Sequence, residues 1–264
     1  MSFSFRFTFD PLGHLILLLL FFGAHLFKFI RFYLVLMEER ELSFFDIMFL
    51  YVRTTFVNLV IPYKAGEIYR VAAVWHKTRS FKTGVLSVVV DRFFDTLSLL
   101  LIILPFQVFF MRSINPVTGI LFAALIILII AYLSYYPSYR YLNRYLIMTK
   151  SSKRSLFLLD LLDRANEWYV FMRKLIRGRG ALMILSSLTG WGLEFAALRV
   201  LASSLGNDFT IDTFISYIDS LLSGGKNGTG SVYNLMGSVI FLILTVFFIC
   251  YSMSRKNSAA GKES

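Results

Sequence analysis

Residues 58–101 read NLVIPYKAGEIYRVAAVWHKTRSFKTGVLSVVVDRFFDTLSLLL, a stretch both apolar and charged. Its runs of valine, leucine and phenylalanine suit a bilayer, yet Asn58, Lys64, Glu67, Arg70, Asp91, Arg92 and Asp95 interrupt them. An ionisable group at the centre of a membrane span costs about 2.5–3.5 kcal/mol even on the mild insertion scale, so each is a functional candidate by default. Asp91 and Asp95 are four residues apart, share one helix face and repel. They need a cation between them, for which Arg70, Arg92 and Lys64 are the candidates, and Glu67 is to be held in the same way. Two readings stand side by side: a static charge network that locks broken helices together, and a solute-facing network containing a phosphate-binding cation.

The rest of the chain supplies the membrane. It has 264 residues, 57% hydrophobic and 17% aromatic, with a mean hydropathy of +0.67. A soluble domain of this length has no core large enough to hide so much apolar surface. The net charge of +11 comes from basic clusters between apolar stretches, in no nucleic-acid-binding module, so no nucleic-acid partner is expected. The single cysteine, Cys250, sits in an apolar run and allows neither an intrachain disulfide nor a cysteine metal site. No cofactor and no metal are expected. The first apolar stretch shows no clear small-residue cleavage site and is read as a retained span.

Clear spanning candidates lie at about residues 12–36, 93–110, 117–135, 181–205 and 232–253. Weaker segments follow at 43–61, which carries Asp46, Arg53 and Asn58 and stops at Pro62, and at 209–222, which carries Asp212 and Asp219 and runs into the glycine-rich 224–230. Such polar-bearing, interrupted segments predict re-entrant or discontinuous helices, and residues 83–90 are a third half-helix feeding into Asp91. The expectation is an all-α polytopic membrane protein with about six spans, broken half-helices and an internal pseudo-repeat. Residues 1–254 form one transmembrane domain and 255–264 a polar tail.

Orientation follows from counting lysines and arginines. If the amino terminus, residues 62–82, residues 137–180 and the tail share one side, the other keeps only Arg40, Arg112 and Lys226. This places both termini in the cytoplasm and the turn at 224–230 outside. Residues 141–179 become a basic, helical cytoplasmic connection lying on anionic head groups.

Further charges stand inside apolar segments. His14, His25 and Lys28 fall on one helical stripe, with Arg31 a turn beyond Lys28. Lys28 and Arg31 either act at depth or snorkel to the head groups. Asp46 and Arg53 are seven residues apart on one face, suited to an ion pair with a neighbouring helix. Glu194 lies mid-span, where it must pair, stay protonated or face a cavity.

At these residues the sequence resembles the transmembrane region of lysylphosphatidylglycerol synthases, the flippase-like half of the multiple peptide resistance factor, and its stand-alone relatives in bacteria and archaea. Residues 58–101 are similar to the family's asparagine, proline, Ala-Gly-Glu and arginine, then a basic linker and an acidic-Arg pair followed by aspartate. Lys28, Arg31 and Phe32 resemble the basic-aromatic end of its first helix, and Glu194 with Leu205 and Gly206 its later helix. The family's late glycine-rich turn usually continues into glutamate, whereas here Gly228, Thr229 and Gly230 lead to Ser231, Val232 and Tyr233. The resemblance implies a lipid translocase of the cytoplasmic membrane acting on an aminoacylated phospholipid or a polyprenyl-linked glycan, not a synthase.

The residues alone reach the same class. A lipid phosphate needs a cationic pocket at depth, and Lys28, Arg31, Arg53, Arg70 and Arg92 are suited to it. No P-loop or kinase glycine loop occurs, so movement is passive or ion-coupled. The rivals are a membrane-embedded lipid-modifying transferase and a non-transporting partner that recruits a cytoplasmic lipid- or glycan-synthesis enzyme. A homo-oligomer is also compatible with the sequence.

Overall fold

The computed structural model describes residues 11–37, 39, 42–61, 65–112, 114–149, 153–223 and 228–260, and these are helical with no strand among them. The helices are α1 (Pro11–Leu36), α2 (Phe44–Val60), α3 (Ala65–Thr78), α4 (Phe81–Phe106), α5 (Pro116–Thr149), α6 (Lys153–Ile176), α7 (Gly180–Ser204), α8 (Ile211–Ser223) and α9 (Gly228–Ala260). Lys64, Pro62 and residues 224–227, singled out in the sequence, lie outside the described residues.

Local chemistry sets the boundaries. Ser43 and Asp46 form a capping box at the start of α2. Its end falls at Ile61, which adopts φ −92° and ψ 120°, because the following Pro62 drives it out of the α region. Helix α3 stops where Arg79 turns left-handed at φ 53°. Pro105 inside α4 removes a backbone donor and crowds the turn before it, and the helix gives way to a π-helical turn at Gln107–Met111. The end of α7 is a Schellman motif: Gly206 at φ 69° donates to Ser203 O, and Asn207 N donates to Ala202 O at 2.9 Å.

Among the described residues four helices are long and apolar enough to cross a membrane: α1, Pro116–Met148 of α5, α7 and Gly228–Ser254 of α9. The expected span at 93–110 is continuous with the charged residues before it. The half-helix expected at 83–90 is therefore no separate element, since α4 runs unbroken through Asp91, Arg92 and Asp95.

The chain divides into two compact units, Met1–Val88 with Ser186–Ser264, and Val89–Leu185. In the first unit α1 and α2 form an antiparallel hairpin, with Phe29 and Phe32 against Tyr51, and Tyr33 against Phe44. Helix α3 folds back along α2. Gly66 sits on Asn58 at one end, and Lys77 pairs with Asp46 at 2.9 Å at the other. Thr83 Oγ1 then donates to Glu39 in the α1–α2 connection at 3.0 Å. Helix α9 packs antiparallel to α2, Gly237 beside Leu59 and Phe248 beside Phe49, and therefore parallel to α1. The contacts of α9 with α1 agree, Tyr233 and Phe241 flanking Phe21 and Phe241 reaching His25.

Lys77 and Thr83 come back to the α1–α2 connection, so α3 does not lead away from it. Helices α1 and α9 run in the same direction. Thr229, at the start of α9, meets Asn207 at the end of the unit where α1 begins. Charge counting treats 62–82 as a loop, whereas Ala65–Thr78 is a helix that folds back along α2.

In the second unit α5 and α6 form an antiparallel hairpin around stacked tyrosines. Tyr135 lies 4.7 Å from Tyr169 between ring centroids, and Tyr139 donates to Asp163 at 3.1 Å. Of the connection expected at 141–179, the described residues up to Thr149 and from Lys153 to Ile176 are helical. Gly180, at the start of α7, lies against Phe94 of α4, and Ser98 donates to Ile184 O. Ile120, Ile127 and Leu133 of α5 are well exposed, as suits a surface covered by lipid.

Candidate functional site

The deepest charges of the first unit meet across α1, α7 and α8. Lys28 donates to Glu194 Oε2, and Tyr217 of α8 donates to Glu194 Oε1 at 2.8 Å. Glu194 is 3% exposed, and the Lys28 ammonium stands 5.0 Å from the centre of the Trp191 ring. One turn on, Arg31 is 2% exposed and donates to Ser187 Oγ at 2.6 Å. Neither cation snorkels to head groups: Lys28 is held by a carboxylate and Arg31 by a hydroxyl within the packed helices. Small residues bring the helices close enough for this. Gly23 leaves room for Leu193, and Gly190 lies against the Ala24 carbonyl and the Lys28 stem.

A second group sits where α3 begins. A Cβ on Gly66 would fall 2.7 Å from the Asn58 Cα, so only glycine lets α3 start against α2 here. Asn58 Nδ2 donates to Glu67 Oε1 at 3.5 Å, and Arg70 Nη1 lies 3.9 Å from Glu67 Oε2. Arg70 is 4% exposed, with its guanidinium 5.2 Å from the centre of the Phe32 ring. Asp46 and Arg53 share the α3-facing stripe, as their spacing predicts. Asp46 takes Lys77 of α3, whereas Arg53 lies against two rings, Phe49 at 5.7 Å and Tyr69 at 5.4 Å.

In the second unit Arg92 clips the two aspartates of its own helix. Nη2 reaches Asp91 Oδ2 and Nη1 reaches Asp95 Oδ2, each at 3.0 Å. This is the cation that the four-residue spacing demands. Asp91 and Asp95 are buried while Arg92 keeps part of its surface. Among the described residues, no three His, Cys, Asp or Glu side chains come together as a metal site.

Within the first unit Lys28 joins Glu194, Arg31 joins Ser187, and Asn58 and Arg70 approach Glu67; within the second, Arg92 joins Asp91 and Asp95. The sequence reading missed Tyr217, Trp191 and Ser187. Tyr217 carried a signal, since a phenol in an apolar helix needs a hydrogen-bond partner. Ser187 carried none.

An all-helical chain with four membrane-length helices and charges buried among them is a polytopic membrane protein. A model of the lysylphosphatidylglycerol synthase TM region matches residues 7–224, and the chain belongs to that family. The match ends at the first residue of the glycine-rich stretch 224–230, whose continuation departs from the family's pattern. No curated protein and no solved structure matches the chain.

Proposed function

We propose that this protein moves a phosphate-bearing lipid, an aminoacylated phospholipid or a polyprenyl-linked glycan, across the cytoplasmic membrane of a bacterium or archaeon, without covalent chemistry. The observation that carries this reading is the Lys28–Glu194–Tyr217 set. It places an ion pair among membrane helices and completes it from a helix too short to cross. Helices α3 and α8 have 14 and 13 residues, about 20 Å each, against a hydrocarbon core of roughly 30 Å. Discontinuous helices beside buried charges are how repeat-built transporters form a site that opens to either side. Both interrupted modules belong to the first unit, where α3 packs on α2, α8 on α9, and α2 on α9. The basic residues of α6, Arg173 and Lys174 among them, rest on anionic head groups in this reading.

The test is transport in proteoliposomes with a head-group-labelled phospholipid, comparing wild type, Arg70→Gln and empty vesicles. The reading requires wild type to exceed empty vesicles, and folded Arg70→Gln to fall well below wild type. Wild-type movement at the rate of empty vesicles, across phospholipid and polyprenyl-linked substrates alike, overturns it.

A further inference from the structure

We infer that Arg53 receives the phosphate of the membrane lipid, its guanidinium pre-positioned between the rings of Phe49 and Tyr69. This rests on the proposed reading that the substrate bears a phosphate. The inference begins from how the cations of the first unit are engaged. Lys28 has Glu194, Lys77 has Asp46, and Arg70 has Glu67 within 3.9 Å. Arg31 donates to Ser187. Arg53 differs from all of them: its contacts are two aromatic faces, and among the described residues no carboxylate lies within ion-pair distance of it. Its Nε is buried without a hydrogen-bond partner there.

Position sharpens the contrast. Arg53 is nine residues into α2, about 13 Å along a helix of roughly 25 Å, and so near its middle. Ring faces attract a guanidinium but carry no net charge, so they steer it without neutralising it. The guanidinium keeps its N–H donors, whose fork matches two oxygens of a phosphate. A half-buried cation so held is suited to receive an anion. Apolar side chains flank the same α2–α3 seam: Ile68, next to Tyr69, is 74% exposed, and Val60 and Ile61 are exposed as well. They offer acyl chains a surface beside the charge, which favours a lipid phosphate over a dissolved one.

The test measures binding in detergent, where transport plays no part. Purified wild type, Arg53→Gln and Arg53→Lys are titrated with phosphatidylglycerol, with the matching diacylglycerol and with inorganic phosphate, and bound lipid is read by native mass spectrometry. Thermal unfolding is followed in parallel. Phosphatidylglycerol is expected to bind wild type, to bind Arg53→Gln about tenfold more weakly and Arg53→Lys by an intermediate amount, since an ammonium keeps the charge but loses the fork. Diacylglycerol should bind all three alike and weakly, and inorganic phosphate should not compete. Equal binding of phosphatidylglycerol to wild type and folded Arg53→Gln overturns the inference. So does an equal loss for diacylglycerol, which marks lost packing. Competition by inorganic phosphate at the lipid's own concentration overturns the lipid as the source. Should Arg53→Gln fail to fold, the forked-versus-point-charge difference read on Arg53→Lys decides. Binding through Arg53 in a protein that moves no lipid would leave this inference standing and sink only the transport reading.

Discussion

Lys28 of α1 and Glu194 of α7, 166 residues apart in sequence, form an ion pair that joins the first apolar helix to the third quarter of the chain, and Tyr217 of α8 closes it. Breaking a buried pair from one side leaves a charge without its counter-ion, whereas replacing both partners by apolar groups is often neutral. Glu194→Gln is therefore expected to destabilise the protein by about 3–5 kcal/mol, and Lys28→Met with Glu194→Leu to recover most of that loss. Thermal unfolding in detergent reads both. Recovered stability together with lost lipid movement in the double variant would separate function from scaffolding. A double variant that folds and still transports normally would make the pair purely structural.

Gly66→Ala should loosen the α2–α3 contact. The new methyl meets the Asn58 backbone, which cannot rotate away, and overpacking of this kind costs about 1–3 kcal/mol. Gly119→Ala is the control, because nothing lies within 4 Å of the added carbon. Equal unfolding temperatures for the two variants would remove the steric reason for the glycine.

The fold-back of α3 makes a prediction about sidedness. In a Cys250→Ser background, single cysteines at Ser43 and Lys77 should react with an impermeant thiol reagent from the same face of the membrane, and one at Asn207 from the opposite face. All three positions are exposed. Opposite labelling of Ser43 and Lys77 would restore the arrangement that charge counting alone suggests.

Arg92→Gln should cost more stability than Asp95→Asn. The arginine serves both aspartates, so its loss leaves two like charges on one face, while the loss of Asp95 leaves Arg92 on Asp91. The expected gap is about 1–2 kcal/mol in chemical unfolding, on the scale of a charge-assisted hydrogen bond. The reverse order would show that Arg92 is held chiefly from elsewhere.

These cases show what the sequence carried. The clip at Asp91, Arg92 and Asp95 was legible because helix periodicity brings those residues together. The stop at Pro62 was legible for a similar local reason. Glu194 announced its need for a partner through its depth, but no local rule connects it to Lys28, still less to Tyr217. The fold-back of α3 was not legible: Lys77, Arg79 and Lys82 look like loop charges, and only the Lys77–Asp46 pair reveals a helix that folds back. The charges of α4 also masked a continuous helix, because Asp91 and Arg92 resemble a boundary when read against an apolar scale. Arg53 could be placed on the α3-facing stripe from its spacing, but the rings that hold it belong to packing.

The length of α5 sets a condition on the membrane that hosts this protein. Its 34 residues extend about 51 Å, and counting one hydrocarbon thickness of roughly 30 Å from Pro116 ends near Tyr136, within the stacked tyrosines at Tyr135, Tyr139 and Tyr169. Phenol rings settle at the interface, so the stack acts as a depth gauge. A bilayer about 6 Å thicker would draw Arg140, one turn past Tyr136, into hydrocarbon. A thinner one would bare the apolar side chains below the tyrosines to water. Bilayer thickness thereby becomes a sorting cue, and the α5 tyrosines are the residues that read it.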